Sequence, residues 1–340
     1  MTNVTGAIAS SVSQNVALVL HSPTDAYIED SHSMAKIRVL LSLSTDTNDF
    51  QRQQATVADE TARRLGMELT IIYADNDPIR QSEELLKVVQ SAGEGRPDAI
   101  IVQPAGATAL PQVARSAVAV GIGWIVLNWN PDYLGELRAA HRLPIFAFSS
   151  DQIAIGRLQS EQLAALLPGG GNVLYIQGPA TSPAAQQRTT GLNQIKPSNI
   201  HMKMVRSAVW NEDAGYRAAS SWLRLATSQK EDFELVAAQS DVMAIGARKA
   251  FNDPSVFKDQ SRAAKIGFLG IDGLPAGGQT WVSRGSLTAT IVVPPNAGMA
   301  LEMLANVIEK KLHAPECTYT TPTSFPPLDS LRRAGVQSAS

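Results

Sequence analysis

A set of amide, ionic and indole side chains stands just beyond short apolar runs: Asn48 and Phe50, Gln103, Asn128 and Trp129, Trp210, Ser240 and Asp272, with Arg188 added from a helical stretch. Their chemistry is that of recognition. A carboxylate only accepts hydrogen bonds, a guanidinium only donates, and an amide does both, so Asp272, Arg188, Asn128 and Gln103 together match the edge of a polyhydroxylated ring, whose hydroxyls donate and accept at once. Phe50, Trp129 and Trp210 supply flat apolar walls for its C–H face. Hydrogen bonds to charged groups contribute about 1.5 to 3 kcal/mol each, so two of them supply much of the roughly 8 kcal/mol of micromolar binding.

Each residue also has an ordinary structural reading. Trp129 after an apolar run fits a packing residue, Arg188 within a helix fits a solvated face, and Asp272 in Gly270-Ile271-Asp272-Gly273 fits a turn. Reaction motifs, in contrast, are missing. The chain has no phosphate-binding Gly-x-x-x-x-Gly-Lys loop, no dinucleotide Gly-x-Gly-x-x-Gly after its first strand and no nucleophile elbow, and Gly169-Gly170-Gly171 precedes a strand as a turn. The five histidines are scattered, and the single cysteine, Cys317, excludes an internal disulfide and reads as a lone thiol. No enzyme activity, metal or cofactor is expected.

The elements that position these residues alternate. From Ile37-Arg38-Val39-Leu40-Leu41 a helix over about 50–65 ends at Gly66, and strands at 69–73, 99–102 and 124–127 follow with helices between them. After Pro144-Ile145-Phe146-Ala147-Phe148 the pattern begins again, with strands at 173–176, 201–209, 235–238, 266–269 and 287–293 and helices at 151–167, 182–195, 212–226, 241–251 and 296–310. Such βαβ repetition predicts an α/β fold with two doubly wound parallel-sheet lobes, and in open sheets of this kind ligands sit beyond the carboxyl ends of the strands. Two facing lobes would merge those loops into one cleft.

The composition agrees with a small, uncharged partner. With 340 residues, 44% of them hydrophobic and 18% charged, the chain buries a core large enough for two domains, and a net charge of -2 gives no field for nucleic acid or an anionic membrane. No apolar run is long enough to span a membrane. Residues 1–35 carry little but Ser, Thr, Asn and short apolar segments, and read as a flexible leader without the basic start and long apolar core of an export signal. Residues 331–340 read as a flexible tail.

In order along the chain, Asn48-Asp49-Phe50-Gln51, Asn128, Ser149-Ser150-Asp151, Thr181-Ser182, Arg188, Gly191, Gln239-Ser240-Asp241, Gly270-Ile271-Asp272-Gly273 and Ala289-Thr290-Ile291 give the chain a resemblance, over about 36–330, to the type I periplasmic sugar-binding proteins, above all the ribose-binding members. The resemblance implies the periplasmic-binding-protein type I fold, with three crossovers near Ser150, Val293 and Tyr319. One lobe would then comprise 36–150 plus 294–318, and the other 151–293 plus 319–330. It implies hinge closure around a sugar, as the solute-binding component of an ABC importer or a chemosensory system, with an ABC permease or membrane receptor as partner and the chain itself a monomer.

The ligand residues that the resemblance carries over are Asn48, Phe50 and Gln51 after the first strand, Gln103, Asn128 and Trp129 in the first lobe, and Arg188, Trp210, Ser240 and Asp272 in the second. The ribose pattern has Asp-Arg where this chain has Asn128-Trp129, a Gln where it has Val293, and Asn where it has Gln103 and Ser240. These departures point to a ligand other than ribose and less polar. The alternative reading is an intracellular ligand sensor resembling the effector domain of lac-repressor-type regulators, without a DNA-binding headpiece, since residues 1–35 are too short and too poor in basic residues for one.

Overall fold

The strands of the first half are apolar on both faces, and this decides their arrangement. In a computed structural model, which describes residues 36–91, 95–106, 110–225 and 227–339, β1 (Arg38–Leu43), β3 (Ala99–Val102), β4 (Gly123–Leu127) and β5 (Ile145–Ser150) are buried almost throughout. The leader expected over 1–35 lies outside the described residues. A strand buried on both faces needs a helix layer on each side, which parallel βαβ connections provide. With β2 (Glu68–Tyr73) and β11 (Cys317–Thr320) these strands form a six-stranded parallel sheet in the order β11-β5-β4-β3-β1-β2.

Alternate residues of β1 face opposite cores. Val39, Leu41 and Leu43 pack with α1 (Asp49–Leu65) and α11 (Ala297–Lys310). Leu40 packs with Ile100, Val102 and the fully buried Trp124 under α2 (Pro78–Gln90), α3 (Pro111–Ala119) and α4 (Tyr133–Ala140). Helix α1 begins and ends on local signals: Asn48 caps its start, and Gly66, at φ +68°, takes the left-handed conformation that closes it.

The second half repeats the scheme. Strands β6 (Gly171–Gln177), β7 (Ile200–Arg206), β8 (Leu235–Ala238) and β9 (Gly267–Leu269) form a parallel sheet in the order β7-β6-β8-β9. On one face lie α5 (Gln152–Leu166) and α6 (Pro183–Ile195). On the other are α7 (Glu212–Leu223) and α8 (Asp241–Phe251), followed by the single turns α9 (Gln260–Ala263) and α10 (Thr280–Ser283). Helices α5 and α6 approach closely because Gly156 faces the carbonyl of Arg188 and Gly191 faces that of Ile153, where any Cβ would overlap the backbone. This contact sets the position of Arg188.

Three segments carry the chain between the sheets. It leaves the first sheet after β5, and returns from β10 (Thr290–Val292) through Pro294 and Pro295 to α11. It then runs from β11 to β12 (Thr323–Phe325), which pairs antiparallel with β10. Cys317 lies half-buried on β11 beside β5. The tail expected over 331–340 is instead α12 (Leu328–Ala339), which packs on α5 and buries Leu331. Its polar, small-residue sequence hid a helix whose few apolar residues are enough to dock it.

Candidate functional site

Both sheets have a switch point where strand order reverses, between β1 and β3 in the first and between β6 and β8 in the second. The loops beyond these points face one another, and all ten residues expected from sequence line the single cleft between them. Its volume is about 350 Å³. Sites for small molecules occupy roughly 300 to 1,000 Å³, so the space suits a ligand of monosaccharide size.

The first sheet contributes a neutral wall. Asn48 Oδ1 accepts the Gln51 N–H at 3.2 Å, and its Nδ2 reaches across the cleft to donate to the Trp210 carbonyl at 3.1 Å. Phe50 packs with Ile155, Ile271, Ile291 and Val293 beside the crossover segments. Gln51, on the cleft lining, is buried with its Oε1 unpaired among the described residues. Asn128, at φ +60° directly after β4, is held at both ends: Nδ2 donates to Gln103 Oε1 at 2.9 Å, and Oδ1 accepts from Asn296 Nδ2 at 2.8 Å. An amide side chain tolerates this left-handed conformation better than most. Trp129 is partly buried and packs against the core around Trp124 while one side lines the cleft, so the packing and lining readings both describe it.

The second sheet contributes an ionic wall. The Arg188 guanidinium is buried, donating from Nε to Gln152 Oε1 at 2.8 Å and from Nη1 to the Gln239 carbonyl at 2.6 Å, while Nη2 has no hydrogen-bond partner among the described residues. It is therefore no solvated helix residue. The Trp210 ring lies over it at 5.6 Å and covers Gly178, where a side chain would overlap the indole. Burial lowers the pKa of Arg188 from its usual value, offset by the charge of Asp272.

Asp272 sits at φ +117°, which is strained for any residue but glycine. Its backbone bonds to Ile291 and Val293 hold it there. The expected turn at Gly270-Ile271-Asp272-Gly273 is present, and it also places Asp272 on the cleft lining. Burial pushes the Asp272 pKa up to about 7, with Arg188 pulling against the rise. Behind it Asp241 accepts the Gly273 N–H at 2.7 Å and the Thr290 hydroxyl at 2.5 Å, and burial, reinforced by the charge of Asp272, raises its pKa well above the carboxylate range. Ser240 spends its hydroxyl as the cap of α8, accepting the Met243 N–H at 3.3 Å.

The periplasmic binding protein domain matches residues 39–312, most of the chain. The chain belongs to that family. It is a family of substrate-binding proteins rather than enzymes, and the chain carries its type I fold. A ribose import binding protein of Bacillus subtilis is 24% identical over 69% of this chain and 72% of its own length. A putative rhizopine-binding protein of Rhizobium meliloti is 30% identical over 54% of this chain, a match that spans 57% of that protein. Among solved structures, a periplasmic solute-binding protein of an ABC transporter from Actinobacillus succinogenes with bound D-allose superposes with a TM-score of 0.74, at 22% identity, over 88% of this chain and 100% of that one. At that identity the likeness is one of fold.

Sequence reasoning missed the residues that hold the lining in place. Gln152 and Gln239 orient Arg188, Asp241 braces the Asp272 turn, and Gln54 and Asn296 hold Asn128. The available signal was polarity at positions where helical periodicity requires burial, as at Gln54 and Gln159, both fully buried. No group of His, Cys, Asp and Glu among the described residues has metal-binding geometry, and no described helix is long and apolar enough to cross a membrane.

Proposed function

We propose that the cleft binds one small, neutral, polyhydroxylated molecule, a sugar or cyclic polyol less polar than ribose, and that the chain delivers it to a membrane partner as the solute-binding component of an ABC importer or a chemosensory system. The observation that carries this reading is the pairing, on one wall, of a buried guanidinium whose Nη2 has no partner among the described residues with Asp272 on the same cleft lining, under an indole ring. A donor-only and an acceptor-only group on one side, with amides opposite, fit vicinal hydroxyls. Relatives named for ribose and rhizopine binding, and a neighbour holding D-allose, support the same class.

The less polar ligand follows from the lining. Trp129 and Val293 stand on the cleft surface where the ribose pattern has Arg and Gln, so two groups that would bond hydroxyls are replaced by stacking surface. Domain closure over the ligand would bring the two walls together about the three crossovers, with Asn48 and Trp210 already in contact across the gap. Calorimetric titration with D-ribose, D-allose, myo-inositol and the deoxy sugar L-rhamnose tests the proposal: micromolar binding of the deoxy sugar, tighter than ribose, is expected. Ribose as the tightest ligand would refute the polarity argument, and no binding by any sugar or polyol would refute the class.

A further inference from the structure

Four amides, the first two fully buried, run from α1 to the cleft, and backbone groups fix their direction. Gln54 Oε1 accepts two backbone N–H groups at the start of α11, those of Asn296 and Ala297, each at 2.9 Å. A backbone N–H cannot reverse, so Gln54 Nε2 must face the other way, and it donates to Asn296 Oδ1 at 2.8 Å. Asn296 Nδ2 then points at the Phe148 carbonyl, 2.9 Å away, which is a second irreversible anchor, and at Asn128 Oδ1. Asn128 Nδ2 in turn donates to Gln103 Oε1. Gln103 Nε2 is left at the open end, with no partner among the described residues, on the cleft lining. Gln54 and Asn296 are fully buried and do not line the cleft.

We propose that Gln54, Asn296 and Asn128 form a one-way amide relay that fixes Gln103 as a hydrogen-bond donor to the ligand, making Gln54 and Asn296 positioning residues for ligand specificity. An isolated glutamine presents either end of its amide and so accepts either kind of ligand group. Here reversal of Gln103 would set its NH2 against the Asn128 NH2, and reversing Asn128 would in turn set its NH2 against that of Asn296. The ligand atom opposite Gln103 must therefore carry a lone pair: a hydroxyl, ring or carbonyl oxygen is accepted, and an ammonium group is rejected. The inference rests on the reading of the cleft as a site for a polyhydroxylated ligand.

The relay has a signature that needs no ligand. In the full-length protein, nitrogen-15 NMR of the side-chain NH2 groups should show the Gln103 pair exchanging rapidly with water while those of Gln54, Asn296 and Asn128 are protected. Asn128→Asp, which keeps the shape but offers only acceptors, should turn the Gln103 amide round and protect its NH2. A Gln103 pair as protected as that of Gln54 in the wild type, or unchanged exchange in N128D, overturns the relay. In binding, Asn296→Ala should weaken whichever of D-ribose, D-allose or myo-inositol binds the wild type by about tenfold, through a residue outside the cleft. Wild-type affinity in a folded N296A protein also overturns the relay. If none of the probes binds the wild type, it is the sugar reading that fails, and the exchange measurement still decides the relay.

Discussion

The two walls of the cleft hold their ligand groups by different means. On the first, Asn128, Gln103 and Asn296 bond one another, and no ionised side chain is needed to keep them in place. On the second, Arg188 and Asp241 are buried beside the partly exposed Asp272, and their ionisation depends on each other and on the protein around them. Neutral amides lose little on burial once every bond is made, whereas a buried charge whose partner is removed is costly. On the proposed function, the second wall should carry most of the affinity and most of the sensitivity to pH, while the first should set shape and the direction of hydrogen bonds.

Removing the ionic wall should have the largest effect. Arg188→Ala and Asp272→Ala are each expected to weaken ligand binding by more than tenfold in calorimetry, since each deletes a hydrogen bond to a charged group of about 1.5 to 3 kcal/mol. Near-normal affinity in both variants would mean that the second wall is not the main grip. The positioning of Arg188 is the next target: Gln152→Leu frees its Nε and should cost about tenfold in affinity while leaving the fold intact by circular dichroism.

A pH series separates the walls directly. The Asp272 pKa is raised from 3.8 to about 7, so the folded, unliganded protein binds a proton more tightly than the unfolded chain does. This group's contribution to stability is fully present below about pH 4 and is lost as the pH rises through about 7. Ligand hydroxyls that donate to Asp272 favour its ionised form, so affinity should fall about tenfold from pH 8 to pH 6 and be flat in Asp272→Asn. A pH-independent wild type would contradict the assignment. The smallest effect belongs to the first wall: Asn48→Ala removes the α1 cap and the bond to Trp210, with a stability loss of about 1 kcal/mol in urea unfolding.

The alternation of strands and helices was legible because each apolar run is short and bounded by turn residues, and the cleft lining was legible because polar residues just after strands stand at the carboxyl end of such sheets. What stayed hidden was relational. Asp241 and Gly273 meet across 32 positions of sequence, and nothing local in Gln239-Ser240-Asp241 marks the aspartate as the brace of a distant turn. Gln54 and Gln152 are polar helix residues whose own sequence does not name the partners, Asn296 and Arg188, that packing places beside them. Asn128 was legible as a cleft residue, but that its amide is engaged at both ends depends on α11, which lies more than 160 residues later. The terminal helix α12 was missed for the same reason, because only its contact with α5 makes Leu331 a core residue.

The central claim is that this cleft holds a neutral polyhydroxylated ligand and leaves it unchanged. Native mass spectrometry of the purified protein, before and after incubation with D-allose and myo-inositol, tests it most directly. One sugar or polyol bound per chain, released intact on denaturation and lost in Arg188→Ala, is the expected result. A bound species without hydroxyl groups, a chemically altered sugar, or equal occupancy in the Arg188→Ala protein would contradict it.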